Sequence, residues 1–150
     1  MMEAIKNKLK NSLESTQMTF DEKLKQICYV LDTSFEYYNW TGFYFKDPNK
    51  DELVLSQYVG AATDHIRIPF GKGICGQVAV SGETFVVEDV YKQDNYLACS
   101  IETKSEIVVP IYNKGKNIGQ IDIDSHTPNA FTQKDKDLLE WLCDEIGKIM

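Results

Sequence analysis

The chain is poor in the residues that usually announce a metal centre or a stapled scaffold. Its 150 residues include four cysteines and two histidines. Cys28, Cys75, Cys99 and Cys143 form no Cys-x-x-Cys pair and have no histidine at ligand spacing, so neither a disulfide framework nor a zinc module is expected. No metal and no cofactor are predicted. Positive charge is also short: 16 Lys and Arg stand against 23 Asp and Glu, giving a net charge of −7 and a pI of about 4.8. That balance argues against a nucleic-acid or anionic-membrane surface. No apolar run reaches transmembrane length, and residues 1–10 lack the apolar core of a signal peptide, so the expected location is cytoplasmic. In a reducing compartment the cysteines are either buried or reactive thiols.

Helical periodicity occupies both ends. Ile5, Leu9 and Leu13 form a narrow stripe over residues 2–14, and Thr19-Phe20-Asp21-Glu22 has the form of a capping box. It opens a second helix with Leu24, Ile27, Cys28, Leu31 and Phe35 on one face, which assigns Cys28 to packing. At the other end Thr132 and Asp135 cap a helix carrying Leu138, Leu139, Trp141, Leu142, Ile146 and Ile149, with Cys143 on or beside the same stripe. The middle is strand-like: residues 37–45, 53–59, 65–69, 84–90, 105–111 and 118–124. Trp40 and Tyr44 fall on one face of the first strand. They suit a core, and they suit the wall of a ligand pocket.

The last two strands can be phased without coordinates. Asn113-Lys114-Gly115-Lys116 is a turn between β-branched runs, and Asp122 and Asp124, two residues apart, leave the same face. If the sum of paired residue numbers is even, Ile107 meets Ile123, Val109 meets Ile121, and Glu106 lies across from Asp124; an odd sum mixes isoleucine with aspartate. Burial of one face selects the even register and gathers three carboxylates on the other. Like charges placed opposite one another do not help a sheet to fold. The face is therefore either a solvated acidic surface or a site.

Between the strands, Gly71-Lys72-Gly73-Ile74-Cys75-Gly76 spells a dinucleotide fingerprint, but the helix expected over residues 77–81 is too short for the crossover that motif requires. What remains is a glycine-rich helix start with Cys75 in its first turn, where the dipole favours a thiolate. Cys99 lies in a polar stretch without periodicity, residues 91–104, and a loop of that length is commonly functional. Together these elements predict an α+β fold in one domain over 1–150. N-terminal helices span 1–36, an antiparallel sheet with pocket loops 37–125, and a C-terminal helix 131–149, with the terminal helices backing one side of the sheet.

Asn39-Trp40-Thr41-Gly42-Phe43-Tyr44, Arg67-Ile68-Pro69-Phe70-Gly71-Lys72-Gly73-Ile74-Cys75-Gly76, Leu97-Ala98-Cys99, Ser105-Glu106-Ile107-Val108-Val109-Pro110 and Gly119-Gln120-Ile121-Asp122-Ile123-Asp124-Ser125 resemble successive blocks of the free methionine-(R)-sulfoxide reductases, a branch of the GAF-domain superfamily. The resemblance implies a GAF-like fold and an enzyme that reduces free methionine-(R)-sulfoxide. It casts Cys99 as nucleophile and Cys75 as candidate resolving thiol. Glu106, Asp122 and Asp124 become the groups that protonate the sulfoxide and bind its ammonium, and Trp40 and Tyr44 the wall around the S-methyl group. The family's first cysteine falls on His65. The implied partners are the small substrate and a thioredoxin-like reductant, with a homodimer left open and neither nucleic acid nor membrane. A second reading is a GAF pocket that binds a methionine-like ligand, or senses redox state, without turnover.

Overall fold

The computed structural model describes residues 1–93 and 102–150. Helices α1 (Met2–Glu14) and α2 (Phe20–Ser34) form where their apolar stripes recur. Thr19 and Glu22 close the capping box: Glu22 N–H donates to Thr19 Oγ1 at 3.2 Å, and Thr19 N–H donates to Glu22 Oε1 at 2.9 Å. Six strands follow, β1 (Trp40–Lys46), β2 (Glu52–Val59), β3 (Arg67–Pro69), β4 (Phe85–Val87), β5 (Ser105–Asn113) and β6 (Lys116–Ser125). Helix α3 (Gly73–Ser81) lies between β3 and β4, and α4 (Gln133–Lys148) ends the chain. The strands form one antiparallel sheet in the order β3-β2-β1-β6-β5-β4.

The β5–β6 register is the even one. Ile107 pairs with Ile123, Val109 with Ile121 and Glu106 with Asp124, around a turn whose central residues Lys114 and Gly115 both have positive φ. Because pairing partners share a face, each side of the sheet can be followed across the three strands β1, β6 and β5. Phe43, Ile121, Ile123, Ile107 and Val109 turn toward α1, α2 and α4 and bury against Leu9, Ile27, Leu31, Leu139 and Leu142. Trp40, Gly42 and Tyr44 face the other way, opposite Asp124, Asp122 and Gln120 of β6, and those residues in turn meet Glu106, Val108 and Pro110 of β5. Helix α3 covers this second face with Ile74, Val78 and Ala79. Polar residues have thus been placed beneath a helix.

Several boundaries differ from the periodicity. β1 begins at Trp40 because Tyr37 and Tyr38 are committed elsewhere: both hydroxyls donate to Asp135 Oδ1 at 2.7 Å. His65 and Ile66 stay out of β3, since His65 N–H donates to Thr63 Oγ1 at 3.1 Å, a local turn that competes with the ladder. β4 stops at Val87, and the Asp89 side chain accepts from Tyr91 N–H at 3.0 Å to start a 3-10 turn over Val90–Lys92. α3 starts at Gly73, four residues earlier than expected, and Ile149 lies past the end of α4, half exposed. Among the described residues no helix is long and apolar enough to cross a membrane.

Asp135 fastens the two ends of the domain together. Besides the two phenols, its Oδ2 accepts from Thr132 N–H at 2.8 Å and Thr132 Oγ1 at 3.0 Å, and the carboxyl is buried. Burial and then the adjacent Asp135 carboxylate push the Tyr38 phenol far above its ordinary range, so it stays a donor. Asp135→Ala removes the helix cap and leaves the Tyr38 hydroxyl buried without an acceptor. A loss of about 3 kcal/mol is expected in the urea midpoint. A change below about 0.5 kcal/mol, the usual range for an exposed side chain, would show that the carboxyl carries none of this load.

Candidate functional site

The second face of the sheet carries the chemistry. Glu106, Asp122 and Asp124 are 4%, 1% and 1% exposed, so the solvated-surface reading of these acids is wrong. Neighbouring strands impose the arrangement: Asp124 lies between Trp40 and Glu106 in the ladder, and Asp122 between Gly42 and Val108. Gly42 is required there, because a Cβ at that position would meet the Trp40 ring at 2.4 Å. The indole therefore lies down over the glycine, stacked on Tyr58 at 5.4 Å between ring centroids and on Tyr44 at 6.4 Å. Trp40 Nε1–H donates to Ala61 O at 3.0 Å, and the Tyr44 hydroxyl donates to His65 O at 2.9 Å. Both aromatic rings thus hold the loop that carries His65.

Cys75, the third residue of α3, is brought to the acids from above. Gln120, opposite Tyr44 in the ladder, donates from Nε2 to Cys75 O at 3.0 Å and ties the helix start to β6. Gly76 lets the turn close, since a Cβ there would lie 2.7 Å from Pro69 O. One ligand atom each from Cys75, Glu106 and Asp122 falls within 4.8 Å of the others. Cys75 Sγ–H donates to the Asp122 carboxylate, and Glu106 and Asp122 are hydrogen-bonded to each other. Two carboxyls in such a contact favour retention of a proton, because both cannot ionise side by side at low cost. Burial raises the Asp122 pKa above its ordinary 3.8, while the hydrogen bonds with Glu106 and Cys75 and the field of His65 act against the shift.

His65, Ile68, Lys72, Cys75, Glu106 and Asp122 line a cavity of about 10 Å³. That is room for about one water molecule. Larger open grooves exist, such as one of about 540 Å³ at Gly82, Tyr112 and Glu140, but no thiol is among the residues that line it. Cys28 and Cys143 are packing residues as expected. Burial pushes the Cys28 thiol up to about 12 and Cys143 higher still. Cys99, expected to be the nucleophile, lies outside the described residues. Sequence reading missed Gln120 and the role of the His65 loop. Gln120 is an amide within an otherwise apolar and acidic strand, which is a signal, but its partner on α3 could only be found in three dimensions.

The GAF domain model matches residues 17–150. The chain is 45% identical over 112 residues to the free methionine-R-sulfoxide reductase of Saccharomyces cerevisiae, covering 73% of this chain and 62% of that one. It therefore spans less than two thirds of the yeast relative. Against the free methionine-R-sulfoxide reductase of Escherichia coli it is 33% identical over 140 residues, 93% of this chain and 83% of that one. The X-ray structure of free methionine-R-sulfoxide reductase from Neisseria meningitidis in complex with its substrate superposes with a TM-score of 0.89 at 34% identity, covering 99% of this chain and 89% of that chain.

Proposed function

The chain belongs to the GAF-domain family, in the branch of the free methionine-R-sulfoxide reductases, and on that footing we propose that it reduces free methionine-(R)-sulfoxide to methionine with a thiol as reductant. One observation carries the reading: Glu106 and Asp122 are buried together with the Cys75 thiol, on the sheet face that also bears an indole. A sulfoxide gives up its oxygen only when that oxygen is protonated or strongly hydrogen-bonded, and a carboxyl kept neutral by burial is the group for that task.

In the proposed reaction the Cys99 thiolate attacks the sulfoxide sulfur and forms a transient S–S bond, which breaks as the oxygen passes to the Cys99 sulfur. The Glu106–Asp122 pair supplies the proton, and the S–O bond of the substrate breaks. The oxygen ends on Cys99 as a sulfenic acid and methionine leaves, reduced by two electrons while the thiol is oxidised by two. Cys75 condenses with the sulfenic acid to a disulfide and releases water; a dithiol reductant of the thioredoxin type then exchanges it back to two thiols. Asp124, directly across from Glu106, provides charge for the substrate's ammonium, and Trp40 and Tyr44 provide an apolar wall for its S-methyl group. A cytoplasmic location suits a cycle that ends in thiol exchange.

The test is steady-state consumption of free methionine-(R)-sulfoxide with dithiothreitol, beside the N-acetylated compound. Blocking the ammonium leaves buried carboxylate charge unmatched, so a preference for the free amino acid of roughly 10²-fold or more in kcat/KM is expected. Folded protein that binds the substrate without consuming it would instead fit a ligand-sensing module.

A further inference from the structure

The same sheet face presents a donor set that amino-acid spacing alone argued against. Cys75 comes from α3, Glu106 from β5 and Asp122 from β6, and all three are buried, with one ligand atom each inside a 4.8 Å group. Zinc holds sulfur at about 2.3 Å and carboxylate oxygen at about 2.0–2.2 Å, which sets tetrahedral ligand atoms roughly 3.3–3.7 Å apart. Tightening by at most about 1.5 Å, within reach of side-chain rotation, would meet that geometry.

Two further observations point into the same place. Asp122 Oδ1 is buried and has no hydrogen-bond partner among the described residues, so one lone-pair-bearing atom of the set is already unspent. His65 lines the cavity with the other three, and its Nδ1 is buried and likewise unpartnered. The cavity volume of about 10 Å³ admits one ion stripped of most of its water.

We propose that Cys75, Glu106 and Asp122 form a binding site for a borderline-soft divalent cation, Zn²⁺ by its chemistry, with the His65 imidazole as fourth ligand. A thiolate, an imidazole and two carboxylates suit zinc and give Mg²⁺ or Ca²⁺ too few oxygens. On binding, Cys75 Sγ–H and the Glu106–Asp122 pair each release a proton to solvent, no group changes oxidation state, and the dication compensates anionic charge that burial otherwise penalises. On the reading given under the proposed function, such an ion occupies both the resolving thiol and the proton donor, and therefore competes with substrate. Metal binding itself does not depend on that reading.

The test uses the full chain, reduced, stripped with a chelator and titrated anaerobically with Co²⁺ and then Zn²⁺. One Co²⁺ per chain with a thiolate-to-metal charge-transfer band, displaced by one Zn²⁺, is expected. Cys75→Ser should abolish the band. His65→Ala, at a half-buried loop position outside helix and strand and with its fold checked by circular dichroism, should keep the band and weaken Zn²⁺ affinity by at least about tenfold. Absence of the band, or its persistence in Cys75→Ser, would overturn the site, the latter placing the ion on another thiol. Unchanged affinity in His65→Ala would overturn the proposed four-residue set. Zinc binding with these signatures in a protein that never consumes methionine sulfoxide would defeat the proposed activity and leave the metal site standing.

Discussion

With serine at position 99, turnover of free methionine-(R)-sulfoxide is expected to fall by roughly three orders of magnitude or more, with the fold unchanged. The reason lies in the oxygen acceptor as much as in nucleophilicity. A thiolate can take the sulfoxide oxygen and become a sulfenic acid, whereas a serine oxygen would have to form an O–O bond. The other thiols cannot substitute easily. Cys28 and Cys143 are buried, with their pKa values pushed to about 12 and beyond, and Cys75 Sγ–H is engaged with Asp122. If Cys99→Ser keeps more than about a tenth of wild-type kcat while Cys75→Ser loses it, the two thiols have exchanged roles.

Asp122→Asn is expected to lower kcat by about 10²-fold or more and to change the pH dependence of stability. The amide keeps the shape of the carboxyl and an acceptor for Cys75 but can neither share nor release the proton. The stability effect has a definite sign. The Asp122 pKa is raised in the folded protein, chiefly by burial. Below the ordinary value of 3.8 both folded and unfolded chains hold the proton and the group costs nothing. As pH rises through 3.8 the unfolded chain ionises freely, while the folded one must retain a proton or bury a charge, so stability falls until the folded-state pKa is passed. Urea midpoints at pH 3 and pH 8, on either side of the window that opens at 3.8, with chelator present, should therefore show the variant gaining on the wild type as pH rises. A difference between the two proteins that is the same at both pH values would mean that Asp122 is not held above its ordinary pKa. Lost activity with gained neutral-pH stability is the pattern of a functional group that folding alone would not select.

Legibility of the structure in the sequence followed the range of the interactions. The β5–β6 register could be read because Ile107, Val109, Ile121 and Ile123 demand one face and the turn at Lys114-Gly115 sets the loop length, both local facts. The burial of the three acids could not be read, because it depends on α3 crossing that face, and α3 is held there by Gln120 and Gly76. Tyr37 and Tyr38 look like strand residues and are not, since their hydroxyls go to Asp135, nearly a hundred positions away in the chain. His65 illustrates the same limit. The turn made by Thr63 removes it from β3 and places it in the lining of the cavity that Cys75, Glu106 and Asp122 share, a neighbourhood that spacing in sequence does not show.

The most direct measurement is a single turnover with pre-reduced protein, mixed with excess free methionine-(R)-sulfoxide in the absence of any added reductant and quenched for methionine. A thiol that takes the oxygen itself predicts one methionine per chain in the wild type and in Cys75→Ser, none in Cys99→Ser, and a sulfenic acid on Cys99 that can be trapped in the Cys75→Ser protein. Methionine released in a full equivalent by Cys99→Ser, or none released by the folded wild-type chain, would contradict the account.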